Sequence, residues 1–549
     1  MRSKLFLLAA AAIGMISAGS AFAQSYAVTN AKIVTVSGAT IEKGTVVIRN
    51  GLIESVGADV RPPADAQVFD ATGLTVYPGF IDALTNLGIQ SQAATTSGGR
   101  GGGGQPQAGT AATTSSSNYA AGLRPEDEAI TDLRAGESTF EADRNAGFTT
   151  VLTTGKSGIF NGQSAVIDLA GETVSAMVLR APFAQHITFT TLGFGTYPGS
   201  LLGTFSALRQ MFYDAQHQQE IEKLYAANPR GMKRPEADRS LEALFPAINR
   251  QMPVVFNANR EIDIIRALDL IREFKLNGII AGGQEAWKVA DRLKAQNVPV
   301  LLSLNFPKRT ASSSPEADPE SLETLRLRAD TPKGPGKLAA AGVKFAFESD
   351  NVRSIGDFFT NAGKAVESGL SRDAAIRAMT LGSAEMLGIS DRTGSIEAGK
   401  IANIVVVKGD IFGKDRFVSH VFVDGKYFEQ KEAPKQQGPR NRDGGPTAGN
   451  QSITGTYTIT IDIPGQTMGA TLNFTQQGSS LTGSMVSQLG TTTISGGKVT
   501  ADGFSFSGSV PFGGTNMEIT VHGSVTGNQI SGTIDSPQGA VPFSGTKNP

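Results

Sequence analysis

The rhythm of hydrophobic and polar positions changes twice along the chain. Over residues 26–77 the apolar residues fall in short strand-like runs: Val28, Ile33, Val34 and Val36, then Thr45-Val46-Val47-Ile48-Arg49, then Leu52-Ile53-Glu54-Ser55-Val56. The Asn50-Gly51 pair between the last two runs predicts a tight hairpin, because both residues tolerate the positive φ that a type I′ turn requires. From about residue 78 strand-like runs alternate with amphipathic helices. The runs lie at 149–154, 186–191, 254–256, 278–280, 300–304 and 344–347. Ile264, Ile265, Leu268 and Ile271 share one helical face between the third and fourth runs, and Phe205, Leu208, Phe212 and Ala215 share another before the third. Helices at 359–379 and 383–388 precede strands at 402–407 and 418–423. Strand–helix alternation sustained over roughly 300 residues predicts a parallel sheet, and the length suits a closed (β/α)₈ barrel, with a doubly wound sheet as the alternative.

The second change of rhythm comes after 450. Tyr457, Ile459, Ile461 and Ile463 alternate with polar residues, as do Leu472 and Phe474, Phe504 and Phe506, and Met517, Ile519 and Val521. A short unit recurs around Gly483, Gly508 and Gly532 and is echoed at Gly455 and Gly545. A repeat of that length holds two strands and a turn, so 451–549 reads as an all-β meander of about eight strands, closed or sandwiched. Two segments lack either rhythm: a Gly/Ser-rich surface insertion at 97–117 and a Pro/Gly-rich linker at 431–450. The glycines at 98–104 are not flanked by a strand and a helix, so they do not read as a phosphate loop.

Composition narrows the chemistry. Lys plus Arg (49) nearly balance Asp plus Glu (50), which excludes a nucleic-acid binder held by bulk charge. There is no cysteine, so disulfides, thiolate metal sites and a Cys nucleophile are all excluded. The chain has four histidines, His186, His217, His420 and His522. Arg2 and Lys4, an apolar run from Leu5 to Ile16, and Ala21-Phe22-Ala23 read as a cleaved signal peptide, 1–23. No later stretch reaches the roughly 18 apolar residues of a membrane span. A periplasmic or secreted protein is expected. Neither a Gly-x-Ser-x-Gly elbow nor a Gly-x4-Gly-Lys-Ser/Thr loop is present. A single tryptophan, Trp287, gives little support to a sugar-stacking platform.

Val76-Tyr77-Pro78-Gly79-Phe80-Ile81-Asp82-Ala83-Leu84-Thr85-Asn86 resembles the start of the barrel in the amidohydrolase superfamily, metal-dependent hydrolases of which the imidazolonepropionase-like members are nearest in pattern. Ala384-Glu385-Met386-Leu387-Gly388 and Gly394-Ser395-Ile396-Glu397-Ala398-Gly399-Lys400-Ile401-Ala402-Asn403 resemble its closing segment, with Asn403 where Asp is usual. The resemblance spans roughly 26–430. It implies a (β/α)₈ TIM barrel over 78–387, flanked by a small composite β-sandwich built from 24–77 and 388–430, with 451–549 outside it. It also implies hydrolysis of a carbon–nitrogen bond other than a protein peptide bond, in a cyclic amide or small dipeptide-like substrate, by a metal-activated water.

Carried over residue by residue, the superfamily's ligand set is mostly replaced. The His-x-His positions are Leu84 and Asn86. The histidine after the fifth strand is Asn257, and that after the sixth is Gly282, followed by Gly283-Gln284-Glu285-Ala286. His186 falls near the fourth-strand position. Asp350 stands where the final, proton-shuttling carboxylate belongs. One carboxylate and one histidine are too few for a catalytic zinc, which takes about three protein ligands. No metal is therefore expected. If the family site survives, it would hold a divalent Zn, Mn or Fe, with His186 and Asp350 as fallback ligands. A rearranged site drawing on Glu348, Asp350, His186 and Glu285 or Asp82 would favour Mn, Mg or Ca.

The expectation is an exported amidohydrolase-like protein with weakened or lost metal catalysis. Asp350 is its candidate catalytic residue, and Asn86, Asn257, Gln284, Asn305 and Glu348 are candidates for lining a ligand-binding mouth. Its partners would be a small-molecule ligand and a related, active amidohydrolase subunit, with no nucleic acid and no membrane span. Two alternatives stand beside this: an active hydrolase with a carboxylate-rich metal site, and a binding protein that acts through the 451–549 module. His217 reads as a surface residue, His420 as part of the closing sandwich and His522 as part of the C-terminal module.

Overall fold

The structure is a computed structural model. It describes residues 25–548 apart from 90–118, 156, 193–195, 309–319, 351, 353, 431–452 and turn positions 464–465, 489, 501–502, 513–514, 527 and 537–538. The predicted signal peptide, the 97–117 insertion and the 431–450 linker lie outside the described residues.

Both flanks of the barrel build one eight-stranded sheet. Ser25–Ile33, Ile41–Arg49, Leu52–Gly57, Gln67–Asp70 and Thr75–Pro78 come from the N-terminal side, and Ile404–Lys408, Phe417–Val423 and Lys426–Glu429 from the C-terminal side. The two halves join where Thr75–Pro78 pairs antiparallel with Ile404–Lys408. The sheet curls around its own core, in which Tyr26 meets the edge of the Phe422 ring at 5.4 Å. The predicted hairpin is present, with Asn50 and Gly51 at φ 53° and 80°.

Eight strand positions form the barrel. Seven run parallel: Phe80–Thr85, Phe148–Thr153, Gln185–Thr188, Val254–Ala258, Gly278–Gly282, Val300–Ser303 and Phe345–Glu348. The third position departs from the (β/α)₈ plan. Phe160–Gln163 and Ala165–Asp168, broken at Ser164, run antiparallel to both neighbours and are reached from the second strand by a hairpin instead of a helix. Gly158, at φ 91°, makes this turn possible. Alternation within the strands separates two cores. Ile81, Ala83, Leu152, Val166, Val255, Ile279, Ala281, Leu301 and Ala346 face the lumen. Phe80, Val151, Phe256, Ile280, Leu302 and Phe347 face outward, against helices such as Glu261–Glu273 and Leu201–Ala227.

The helix predicted over 359–379 is two, Ile355–Glu367 and Arg372–Ala378, separated by Gly369 at φ 113°. The next helix, Leu381–Leu387, puts Ala384 and Leu387 among the lumen side chains and plugs the N-terminal end of the barrel.

The C-terminal unit is a separate compact body. Its strands Gly455–Ile463, Gln466–Gln477, Ser480–Ser487, Ser495–Thr500, Gly503–Phe512, Thr515–Thr526, Gln529–Ser536 and Gly539–Lys547 form an antiparallel meander. It closes through Tyr457↔Lys547 to Ile461↔Phe543, and Gly490–Thr493 adds a short strand. Tyr457, Leu472, Phe474, Phe504, Phe506 and Phe543 fill the interior. The recurring glycines mark close approaches. A Cβ at Gly532 would collide with the His522 carbonyl, and one at Gly545 with that of Thr458. Apolar side chains point inward and Thr458 and Thr460 outward, the reverse of the arrangement in a membrane-spanning barrel. No helix among the described residues is long and apolar enough to cross a membrane.

Candidate active site at the barrel mouth

The C-terminal ends of the parallel strands bring most of the candidate residues to one end of the barrel, where enzymes of this architecture carry their chemistry. Asn257 is the penultimate residue of the fifth strand and Gln284 follows the sixth. Ser303 and Asn305 are at the end of the seventh, and Glu348 and Asp350 at the end of the eighth. Gln284 donates from Nε2 to the Asn305 carbonyl (2.8 Å), and the Asn305 amide donates to Ser303 Oγ (3.2 Å). Ser303 Oγ reaches the Asp350 carbonyl (3.4 Å). Asn257 Nδ2 reaches Thr188 Oγ1 at 3.5 Å, and that hydroxyl donates to Asn161 Oδ1 (2.7 Å). Asn86 lies on the exposed loop after the first strand, and none of the hydrogen bonds around Gln284 and Asn305 reaches it.

Glu348 is buried (1 % exposed) and accepts a hydrogen bond from the Asp350 amide. Burial pushes its carboxyl well above the usual range, and the nearby Asp350 and Asp82 charges push it in the same direction. Asp82, also 1 % exposed, is raised to about 7 by burial. It accepts from the Ser349 amide (2.9 Å), the Ser349 hydroxyl and the Leu84 amide (3.3 Å). These bonds link the first barrel strand to the end of the eighth, where the four-stranded and six-stranded parts of the barrel meet. Asp82 is thus a seam residue. An acid inside the buried run from Val76 to Leu84 was the sequence signal for such a role, because it cannot be buried without partners.

His186 lies within the fourth strand and not after it. Its side chain is buried (1 % exposed), and burial holds the imidazole to about 3, so it is neutral. Ser164 Oγ lies 2.8 Å from His186 Nε2 and 3.3 Å from the Ala184 carbonyl. The remaining nitrogen, Nδ1, is buried and has no hydrogen-bond partner among the described residues. Neither Ser164 nor Ser303 was singled out from the sequence, since a lone serine in a strand carries no pattern. His217 is exposed on its helix, His420 stacks on Tyr427 in the flanking sheet, and His522 lies 3.8 Å from Asp535 in the C-terminal unit.

The superfamily's metal does not fit these residues. Leu84 is packed among the lumen apolar side chains. Gly282 has φ 85°, and a Cβ there would overlap the Asn259 side-chain oxygen. Glu285 is taken up by the Glu261 amide (2.7 Å) and Lys288 Nζ (2.6 Å). Among the described residues no three His, Asp or Glu side chains gather as a ligand set.

Asn403 lies at the opposite end. Its Nδ2 donates to Asp168 Oδ1 (2.9 Å) and Thr150 Oγ1 (3.1 Å), and its Oδ1 accepts from the Asp424 amide (2.7 Å). Asp168 also accepts from Thr150 Oγ1 (2.6 Å), and burial raises it to about 7.

Comparison with known proteins agrees with this architecture. Residues 284–428 match the amidohydrolase family. An amidohydrolase from Thermotoga maritima is 26% identical with a TM-score of 0.60, over 74% of this chain and 100% of that one. A prolidase solved with N-methylphosphonate-L-proline (17% identity, TM-score 0.44) and a Xaa-Pro dipeptidase with bound methionine (18%, 0.44) match over the same shares. No curated protein matches the chain. The barrel and its flanking sheet are amidohydrolase-like in sequence over the matched stretch and in fold.

Proposed function

We propose that this amidohydrolase-like chain keeps the scaffold of a carbon–nitrogen hydrolase but uses its barrel mouth to bind a small polar molecule without the superfamily's metal. The observation that carries this reading is the sixth strand. The histidine position there is Gly282, in a backbone conformation that resists a side chain, with Asn259 occupying the space a Cβ would need. The remaining polar groups are suited to recognition. Asn257, Gln284 and Asn305 offer amide donors and acceptors, and Glu348 adds a carboxyl that burial pushes well above its usual range. Such groups pair with an amide or imide ligand, a cyclic amide or a dipeptide-like molecule.

Asp350 retains the position of the family's proton-shuttling carboxylate, and here it would hydrogen-bond ligand. The same proposal places the mature protein in the periplasm or outside the cell, after removal of 1–23, and allows a related active amidohydrolase as partner subunit.

The test is elemental analysis of the dialysed protein, joined to calorimetry against hydantoin, dihydrouracil and proline dipeptides with and without a chelator. The expected result is metal far below one per chain and ligand binding that the chelator leaves unchanged. Near-stoichiometric metal with chelator-sensitive turnover overturns the proposal.

A further inference from the structure

A cleft of about 520 Å³ opens at the N-terminal end of the barrel, away from the mouth. Its lining includes the residues that immediately precede strands five to eight, Pro253, Asn277, Pro299 and Lys344, and side chains from the helices Arg372–Ala378 and Leu381–Leu387. The volume lies within the range of small-molecule sites, roughly 300–1,000 Å³. Its apolar lining includes Ile279, a buried member of the lumen core, and Met386, packed against that core. Its polar part is cationic. Lys294, Lys344 and Arg377 line the cleft with a single carboxylate, Glu385, and Arg377 Nη2 holds that carboxylate at 2.6 Å. Lys294 and Lys344 have no ion-pair partner among the described residues. The Lys294 ammonium lies over the Gly342 turn, where a Cβ would come within 3.3 Å of Nζ. In a chain whose charges otherwise balance, this excess is local.

We infer that this cleft is a second ligand site, for a small organic carboxylate with an apolar body. The carboxylate lies between Lys294 and Lys344 and the hydrocarbon on Ile279 and Met386. Two ammonium groups lining one cleft repel each other, and a bound anion relieves the repulsion. The apolar lining separates this ligand from inorganic phosphate, and the charge separates it from an amine of the same length. The site does not depend on the reading of the mouth.

The experiment is calorimetric titration of the full chain with hexanoate and phenylacetate, with inorganic phosphate and hexylamine as controls. Both carboxylates are expected to bind, hexylamine and phosphate not to. The Lys294→Gln/Lys344→Gln variant, altered only at exposed side chains, is expected to lose about tenfold in affinity. Asp350→Asn, at the far end, is expected to leave the carboxylates' affinity unchanged. Equal binding of hexylamine, undiminished binding by the lysine variant, loss of binding in Asp350→Asn, or no carboxylate binding at about 10 mM, a level that even millimolar affinity would reveal, overturns the inference.

Discussion

Asn403→Asp restores the residue usual in the superfamily and should damage this protein. The exchange is isosteric, so it opens no cavity and isolates the electrostatics. It keeps the oxygen that accepts from the Asp424 amide at 2.7 Å but turns the donor nitrogen into an oxygen 2.9 Å from Asp168 Oδ1. Both side chains are buried. Two carboxylates at that distance cannot both ionise, so near neutral pH the pair must keep a proton that the unfolded chain has released. Holding a proton about 3 pH units above its ordinary pKa costs about 4 kcal/mol, partly offset by the hydrogen bond that the shared proton makes. The expected loss is therefore about 3 kcal/mol at pH 7, shrinking to under about 1 kcal/mol at pH 4, where the unfolded carboxylates are half protonated.

Trp287 is the chain's one tryptophan and sits in the barrel unit, so its fluorescence in urea follows that unit alone. With a slope of roughly 3 kcal/mol/M, the midpoint should fall by about 1 M at pH 7. The exchanged pair, Asn403→Asp with Asp168→Asn, should recover most of this. An unchanged midpoint at pH 7, or an equal fall at pH 4 and pH 7, would refute the argument.

Asp82 gives a second pH dependence. Its folded pKa is raised from 3.8 to about 7, so the folded state holds the proton more tightly. Its contribution is present in full below pH 4, is lost as pH rises to about 7 and is flat above, worth up to about 4 kcal/mol. Asp82→Asn should flatten the urea midpoint between pH 4 and 7, and an unchanged slope would count against the burial argument. Gly282→His should lower stability by at least about 1–2 kcal/mol through left-handed strain, and should not make the protein retain zinc through dialysis; retention would show that the lumen can be rebuilt around a metal. Gly532→Val should accelerate hydrogen exchange across 515–547, because its side chain meets the His522 carbonyl of the neighbouring strand. Protection equal to the parent would remove the close approach as the reason for the repeat.

The parts of the fold legible in the sequence were those set by periodicity. Ile264, Leu268 and Ile271 are buried on one helix as their spacing required, and Tyr457, Ile459 and Ile461 point into the C-terminal barrel. What periodicity could not convey was direction. Phe160–Asp168 has the apolar character of any buried strand, and only its pairing shows that it runs against its neighbours. Gly369 and Leu370 break a helix that the apolar pattern alone carries through, because helical spacing resumes in phase after the turn. At the mouth, the strand ends could be placed from the motif, so Asn257, Gln284, Asn305, Glu348 and Asp350 fall together. Ser164 and the Asp168–Asn403 pair could not be found, because their partners lie far off in sequence and only closure of the barrel unites them.

The amidohydrolase-like motifs in this chain divide by what each residue holds. Gly79, Asp82 and Asn403 have obligations inside the protein: a Cβ at Gly79 would collide with Thr149, Asp82 links the barrel seam, and Asn403 joins four other side chains and backbone groups at the floor. Removing any of them leaves a clash or an unpaired buried group, costing about 1–3 kcal/mol or more. Leu84, Asn257 and Gly282 stand where a metal would have met those obligations instead. Without the metal, a histidine at position 84 would be a polar ring among Leu152 and Val166, whereas leucine there contributes roughly 1.5–3 kcal/mol of burial. Under the proposed function, in which catalysis no longer holds the ligands in place, stability alone selects their replacement by apolar and amide side chains. The seam and the floor, which stability needs in either case, remain. Under that proposal the chain keeps both ends of a family signature while the chemistry between them is exchanged for recognition.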